Sequence, residues 1–401
     1  MEPIHKSDTL KARPTAFQDN LVSCAEAAAR WLARSIEACD GSGSAGFYSR
    51  FYHPFKGWYW SYPETTGYII PTLLNYAVFA SQPEYTDIAI KQADWILSLQ
   101  FDNGALPGGV VIRGHRAGPS IFNTGQMILG LVAAADYTYQ EKYLSSAFRA
   151  ASWLANQVDE LEGIWKNCAY VPGFSPAYYT RVCWPMLEVC SRKTDDKIKA
   201  AAVRVLEVIL GWQQENGAIK NWGFQPDRPA FTHTIAYTLE GFIESGCLLG
   251  PEGNRFIQAT IKTADVLRRR MEYRGRLGGA YDLQFKGRYW YTCLTGNCQM
   301  ALVWMKIYNI LSDARYISAA LKALQHVMQC QRIRSFNPNL RGAVAGSSPL
   351  WGRYMTFRYP NWAAKFYLDA VMSAHKILQQ LLEKNPCELW SHPDTIKASM
   401  Q

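Results

Sequence analysis

A period of about 54 to 68 residues runs through this chain six times, and no other feature narrows the possible folds as much. Six segments follow one plan. A polar or aromatic loop leads through a Thr or small residue into a long apolar run: ETTGYIIPTLLNYA, FNTGQMILGLVAAA, YYTRVCWPMLEVC, THTIAYTLEGFIES, CLTGNCQMALVWMKIY and NWAAKFYLDAVMSA. Aligned on Thr66, Thr124, Thr180, Thr234, Thr295 and Ala363, they step by 58, 56, 54, 61 and 68 residues. A second series interleaves with the first. Gly46, Gly104, Gly163, Gly217, Gly279 and Gly342 each follow an amphipathic stretch and step by 58, 59, 54, 62 and 63. Two series on one beat imply one unit repeated six times.

Each unit reads as helix, Gly turn, loop, helix. The stretches at 21–38, 83–100, 141–158, 195–213, 254–272 and 314–331 carry one apolar stripe and one charged face, as WLANQVDEL and VLRRRMEYR show, and predict an outer ring. The six Thr-led runs are apolar on nearly all sides, with small residues such as Gly130, Ala133 and Gly241, and predict a buried inner ring. Twelve helices alternating in this way make an all-α (α/α)6 toroid over residues 21–381. Residues 1–20 are an N-terminal extension and 382–401 a C-terminal tail. The glycines fit left-handed C′ positions, and the threonines fit N-caps.

Composition excludes several function classes. Lys and Arg outnumber Asp and Glu for a net charge of +9, but no run of five basic residues occurs, so no nucleic-acid arm is expected. No 18-residue apolar stretch is present, so no membrane span is expected. MEPIHKSDTLKARPTAF has no apolar core of a secretory signal, and the ten cysteines form no CxxC pair. Reduced thiols and a cytoplasmic location follow as expectations. Aromatic residues reach 13%, with 14 Trp and 23 Tyr, an excess suited to stacking flat sugar faces. A mildly basic cleft suits an acidic sugar. Nothing in the repeat sets an oligomeric state.

In such a toroid all inner helices start at one end, and their N-termini add positive potential there. Residues around each Thr should therefore line a funnel. Unit one supplies Glu64 and Tyr68, unit two Asn123 and Gln126, and unit three Tyr178, Tyr179 and Arg181. Unit four supplies His233, Tyr237 and Glu240, unit five Asn297 and Gln299, and unit six Asn361, Trp362 and Lys365. The loops add Trp222, Tyr281, Asp282, Trp290 and Arg353. Trp58 and Trp60, in KGWYWSYPETTGY, stand at the mouth, where at least one should stack on a sugar. His233 precedes a helix start, which favours a neutral imidazole base. Glu240, among apolar neighbours, is expected to have a raised pKa or to pair with Arg181 or Lys365. Glu64 and Asp282 are further candidate carboxyls. Cys293 and Cys298 lie near the funnel without a nearby His, so no metal or other cofactor is expected.

Residues 20–381 resemble the six-hairpin (α/α)6-barrel carbohydrate-active enzymes, which include unsaturated glucuronyl hydrolases, N-acylglucosamine 2-epimerases, toroid alginate lyases and the helical domain of glucuronyl C5-epimerases. The hydrolases use inner-helix aspartates, whereas FNTG places Asn123 at such a position. The lyases use Asn and Arg to neutralise a uronate carboxylate and Tyr or His to remove the C5 proton. The resemblance therefore implies proton abstraction from an acidic poly- or oligosaccharide, by elimination or C5 epimerisation. His233 or Tyr237 would be the base, Tyr281 an acid, and Asn123 and Arg181 the carboxylate binders. A glycoside hydrolase using two of Glu64, Asp282 and Glu240 is the first alternative. A non-catalytic glycan-binding toroid in polysaccharide assembly is the second. Terpene cyclases, prenyltransferase β subunits and lanthionine cyclases share the toroid, but their DDxxD, Asp-x-Cys and Cys-His signatures are missing here.

Overall fold

The computed structural model of the chain describes residues 8–51 and 57–384. Within them, six outer helices surround six inner ones. The outer ring is α1 (Asp8–Glu37), α3 (Glu84–Leu99), α5 (Glu141–Asn156), α7 (Asp196–Leu210), α9 (Asn254–Arg270) and α11 (Ala314–Cys330). The inner ring is α2 (Pro63–Ala80), α4 (Ile121–Thr138), α6 (Thr180–Arg192), α8 (Thr232–Leu248), α10 (Leu294–Leu311) and α12 (Asn361–Lys384). Each inner helix packs on the next, and α12 packs on α2 to close the ring. The expected (α/α)6 toroid is the fold observed.

Two boundaries differ from the sequence reading. Residues 8–20, expected as an extension, form the start of α1. α12 continues through Lys384, and the remainder of the expected tail, with Cys387, lies outside the described residues, as do residues 1–7. The strongest helix pairing also differs. Each outer helix packs mainly on the inner helix before it, and α1 packs on α12, so the first outer helix completes the last unit.

The two ends of the toroid are built differently. Inner helices reach the next outer helix through short turns, such as residues 81–83 and 139–140. Outer helices return through long loops, such as 100–120, 271–293 and 331–360, which cover the end where the inner helices start. Three antiparallel pairs tie these loops together: β1 (Phe47–Tyr48) with β6 (Tyr359–Pro360), β2 (Ala230–Phe231) with β3 (Ala280–Tyr281), and β4 (Thr292–Cys293) with β5 (Ser347–Ser348).

The repeated glycine and threonine have roles other than those expected. The outer helices do not end on the glycine. α3 ends on Gln100 in an extended conformation, and Gly104 follows four residues later at φ +91°. A side chain at Gly104 would strike the Arg149 carbonyl of the next outer helix, and one at Gly342 would strike that of Ala27. The glycine thus lets the return loop press on its neighbouring unit. Gly43 and Gly275, rather than Gly46 and Gly279, hold this left-handed place in units one and five. The threonines lie in the first helical turn, and two of them bind return loops. Thr66 accepts from the Ser44 N–H at 2.9 Å, and Thr124 accepts from the Leu106 N–H at 3.0 Å. True side-chain caps come from Ser120 and Cys293.

Small residues set the inner-ring spacing. A Cβ on Gly241 of α8 would lie 2.3 Å from the Thr180 carbonyl carbon of α6. Gly241→Val is expected to lower unfolding free energy by about 3 kcal/mol through forced separation of these helices. Chemical denaturation measures it, and an unchanged midpoint would show that the contact is not needed.

Candidate functional site

A polar chain crosses the barrel axis and joins four inner helices. Arg181 on α6 is 1% exposed and forms an ion pair with Glu240 on α8. Gln126 on α4 accepts from Arg181 Nε at 2.8 Å and returns a hydrogen bond to the Arg181 carbonyl at 3.0 Å. Gln299 on α10 donates to Glu240 at 3.1 Å. The other end of that amide, Oε1, lies 2.6 Å from His233 Nδ1. Because Gln299 uses its nitrogen on Glu240, its oxygen must accept. His233 therefore carries its proton on Nδ1, and Nε2 keeps the lone pair.

Burial holds the His233 pKa down to about 3, opposed by the Gln299 hydrogen bond and aided to a smaller extent by the Arg181 charge, so the imidazole stays neutral. Its ring lies 4.2 Å from Tyr237 and 5.2 Å from Tyr354. Tyr237 packs over the Arg181 guanidinium at 4.6 Å. Burial raises the Tyr237 pKa, so this phenol holds its proton and cannot serve as a base near neutrality.

Glu64, in the first turn of α2, stands at the loop-covered end. Its Oε2 accepts from the Tyr62 hydroxyl at 2.6 Å. With the Asn123 amide turned to suit its neighbours, Nδ2 donates to the same oxygen at 3.1 Å and Oδ1 accepts from Gly109 N at 3.0 Å. Burial pushes the Glu64 pKa up to about 7, although the Tyr62 hydrogen bond and Arg181 pull it down. One aromatic floor borders both groups. Tyr62 meets Trp362, Trp362 donates to the Tyr354 hydroxyl at 2.8 Å, and Tyr354 meets His233. Phe122, beside Asn123, packs on Tyr178 and Tyr237. Glu64 is 8% exposed, Asn123 6% and Trp362 9%, so all three are buried.

The other sequence candidates are placed apart from this cluster. Tyr281 accepts from Gly278 N at 2.8 Å and packs on Phe285 and Tyr289 beneath its own loop. Burial raises its pKa. Asp282 closes a turn by accepting from the N–H groups of Gln284 and Lys286. Asn297 is fully buried and binds the Gly275 and Ala323 carbonyls. Trp222 packs on Phe285, and Trp58 packs on Trp31 and Tyr48. Trp60 is partly exposed at the loop face. Trp290 is half-exposed, with the Arg353 guanidinium 6.0 Å from its ring centre. Tyr68 lies under the cluster, 3.4 Å from the Tyr237 hydroxyl.

Tyr62 and Tyr354 escaped the sequence reading. Tyr62 stands two residues before Glu64, and that spacing could have flagged it. Tyr354 sits in a return loop outside the repeated window, where the sequence holds no signal.

A large cavity lies elsewhere than expected. About 1560 Å3 opens at the C-terminal ends of the inner helices, under the short turns, with Tyr68, Arg181, Glu240 and Lys365 at its floor. The long loops and their rings fill the opposite end. Among the described residues no three His, Cys, Asp or Glu side chains group as metal ligands, and no helix is long and apolar enough to cross a membrane.

The fold and this axial layout define a class, the (α/α)6 toroids. No protein-family model and no curated protein matches the sequence. Solved structures do match in fold. An unsaturated glucuronyl hydrolase specific for heparin superposes with a TM-score of 0.72 at 12% identity, covering 90% of this chain and 98% of its own. The unsaturated glucuronyl hydrolase of Bacillus sp. GL1 gives 0.70 at 14%, covering 88% and 96%. The cellobiose 2-epimerase of Spirochaeta thermophila gives 0.72 at 12%, covering 93% and 99%. The chain is thus similar in fold to toroid enzymes that act on carbohydrates.

Arg181→Met leaves Glu240 as a buried unpaired charge. It is expected to cost about 3–5 kcal/mol. Arg181→Met combined with Glu240→Leu should recover at least half of that loss, as read by urea unfolding. A single-variant cost below about 1 kcal/mol would deny the pair its structural role.

Proposed function

We propose that this protein is a carbohydrate-processing enzyme that moves a proton at a sugar carbon. Its substrate on this reading is an acidic, uronate-containing poly- or oligosaccharide, and the outcome is elimination or C5 epimerisation. One observation carries the reading. A neutral imidazole with a fixed tautomer and a carboxyl with a pKa near 7 border the same aromatic floor. Near neutral pH the imidazole is unprotonated and the carboxyl still holds a proton in part.

His233 Nε2 would take the proton next to the uronate carboxylate. Glu64, holding a proton, would hydrogen-bond the developing negative charge beside Asn123, then give that proton to the departing O4 as the C4–O bond breaks in elimination, or to the opposite face of C5 in epimerisation. The neighbours in fold include a glucuronyl hydrolase and an epimerase of a disaccharide, which supports a carbohydrate substrate. Arg181 is not the substrate clamp in this reading, because Glu240 already answers its charge. Arg353 and Trp290, at the exposed rim, are the groups that would meet an acidic sugar arriving from solution. A hydrolytic carboxylate pair has less support. Glu240 is bound by Arg181 and Asp282 by its own turn, which leaves Glu64 without a second free carboxyl.

The test is a panel of uronate oligosaccharides, with cellobiose as the neutral control, incubated in deuterated water. New ultraviolet absorbance from an unsaturated uronate means elimination, and gain of one deuterium without cleavage means epimerisation. Cleavage with neither would replace this reading with hydrolysis. Inertness across the panel would end the uronate assignment, and turnover of cellobiose alone would keep proton transfer but reassign the substrate.

The pH behaviour follows from Glu64. Activity should hold below about pH 7 and fall tenfold per unit above it as Glu64 ionises, with no acidic limb from His233 above about pH 4. Glu64→Gln should lower kcat at least a hundredfold. Its stability effect has a definite sign. The folded pKa is raised above the ordinary 4.5, so native stability declines as pH rises from 4.5 to about 7 and then stays level. Glu64→Gln should therefore melt at or above the parent temperature at pH 8. A variant less stable at pH 8 than at pH 5, relative to the parent, would show that Glu64 is not the strained carboxyl.

A further inference from the structure

The 1560 Å3 cavity at the C-terminal ends of the inner helices takes no part in the chemistry above, and it exceeds the roughly 300–1,000 Å3 of an ordinary small-ligand pocket. Its walls carry ion pairs. Lys306 on α10 meets Glu244 on α8 at 2.8 Å, and Arg192 on α6 meets Asp136 on α4 at 2.6 Å. Those two pairs fasten neighbouring helices, and the fold alone accounts for them. Lys365 and Asp369 are different. They meet at 2.6 Å within α12, so they join no two helices, yet their side chains are only 8% and 18% exposed. Lys365 also stands 5.4 Å from the centre of the Tyr68 ring on α2. The pair lies at the cavity floor beside Arg181 and Glu240.

The lining selects a ligand class. Each of these acids is answered by a base, so the cavity presents little net field to an ion. An apolar ligand would strip water from the pairs and return no hydrogen bonds. A molecule with many hydroxyls can donate to the carboxylates and accept from the ammonium and guanidinium groups. Phe79 and Trp184, both partly exposed, offer ring surface for the apolar faces of such a molecule. We propose that this cavity is a second binding site, for an uncharged oligosaccharide, on the face of the toroid opposite the acid–base cluster. It does not rest on the reaction assigned to that cluster.

The test uses the full chain and three neutral probes, cellopentaose, maltopentaose and xylopentaose, with hexagalacturonate as the charged control. Saturation-transfer NMR detects contact and titration calorimetry gives Kd. At least one neutral probe should bind with Kd of about 1 mM or tighter. Ala133→Trp, which fills the cavity from α4, should weaken it at least tenfold. Glu244→Leu with Lys306→Met, which strips one wall of its polar pair without leaving a lone charge, should do the same. Both variants must keep the parent circular dichroism and melting temperature, and whichever folds suffices. Glu64→Gln should leave this binding unchanged while it abolishes any turnover, so failure of one assignment is separable from failure of the other. Absence of neutral binding, binding that survives a folded cavity variant, or binding of hexagalacturonate alone would each overturn the proposal.

Discussion

The Arg181–Glu240 pair is the contact on which the interior depends. Two opposite charges sit near the axis of a largely apolar ring, and neither is stable there alone. Glu240 needs every donor available, so Gln299 must present its nitrogen to it. That choice turns the Gln299 oxygen toward His233 and fixes which imidazole nitrogen is protonated. Gln126 closes the other side by binding both the Arg181 side chain and its backbone. A structural ion pair thereby decides the state of a candidate base a helix away. Replacing it with apolar residues could keep the ring closed, yet it would remove the reason for His233 to hold a single tautomer.

The pair can exist because the inner helices stand very close. Gly241 against Thr180, and Gly130 against Gly67, bring backbones nearer than any side chain would allow. Close helices leave little room on the axis, so the groups there must be paired and ordered. The outer ring follows from the same constraint. Each return loop presses its left-handed glycine on the next outer helix, and the short β pairs bind neighbouring loops to one another. Spacing is held from inside by glycine and from outside by glycine.

The repeat made the architecture legible, because twelve helices on a shared beat have few ways to bury six apolar runs. It also showed which residues begin inner helices, so Glu64, Asn123, Arg181, His233 and Glu240 all emerged from register alone. Depth was not legible. Register places Glu240 only two turns below His233, and the sequence offered Arg181 and Lys365 as its partners without choosing between them. The loop residues failed for another reason. Asp282 and Tyr281 lie at the right end of the fold, but a loop that must turn sharply uses its own Asp and Tyr to do so. Trp58 likewise fills the gap between Trp31 and Tyr48. Aromatic excess reports both core and rim, and only neighbours separate the two.

The difference between the two ends follows from connection length. A loop of twenty or more residues must bury its own apolar side chains, and here it does so over the helix N-termini, with Tyr178, Tyr354 and Trp362 as the lid. A turn of two or three residues has nothing to bury and leaves its end open. The acid–base groups therefore sit where water is scarce, which is what raises the Glu64 pKa and lowers that of His233. The charged cavity sits where water is plentiful and its ion pairs stay solvated at their edges. The same asymmetry separates a closed end lined by aromatic rings from an open end lined by ion pairs. It arises from nothing more than which ends of the helices the chain joins quickly and which it joins slowly.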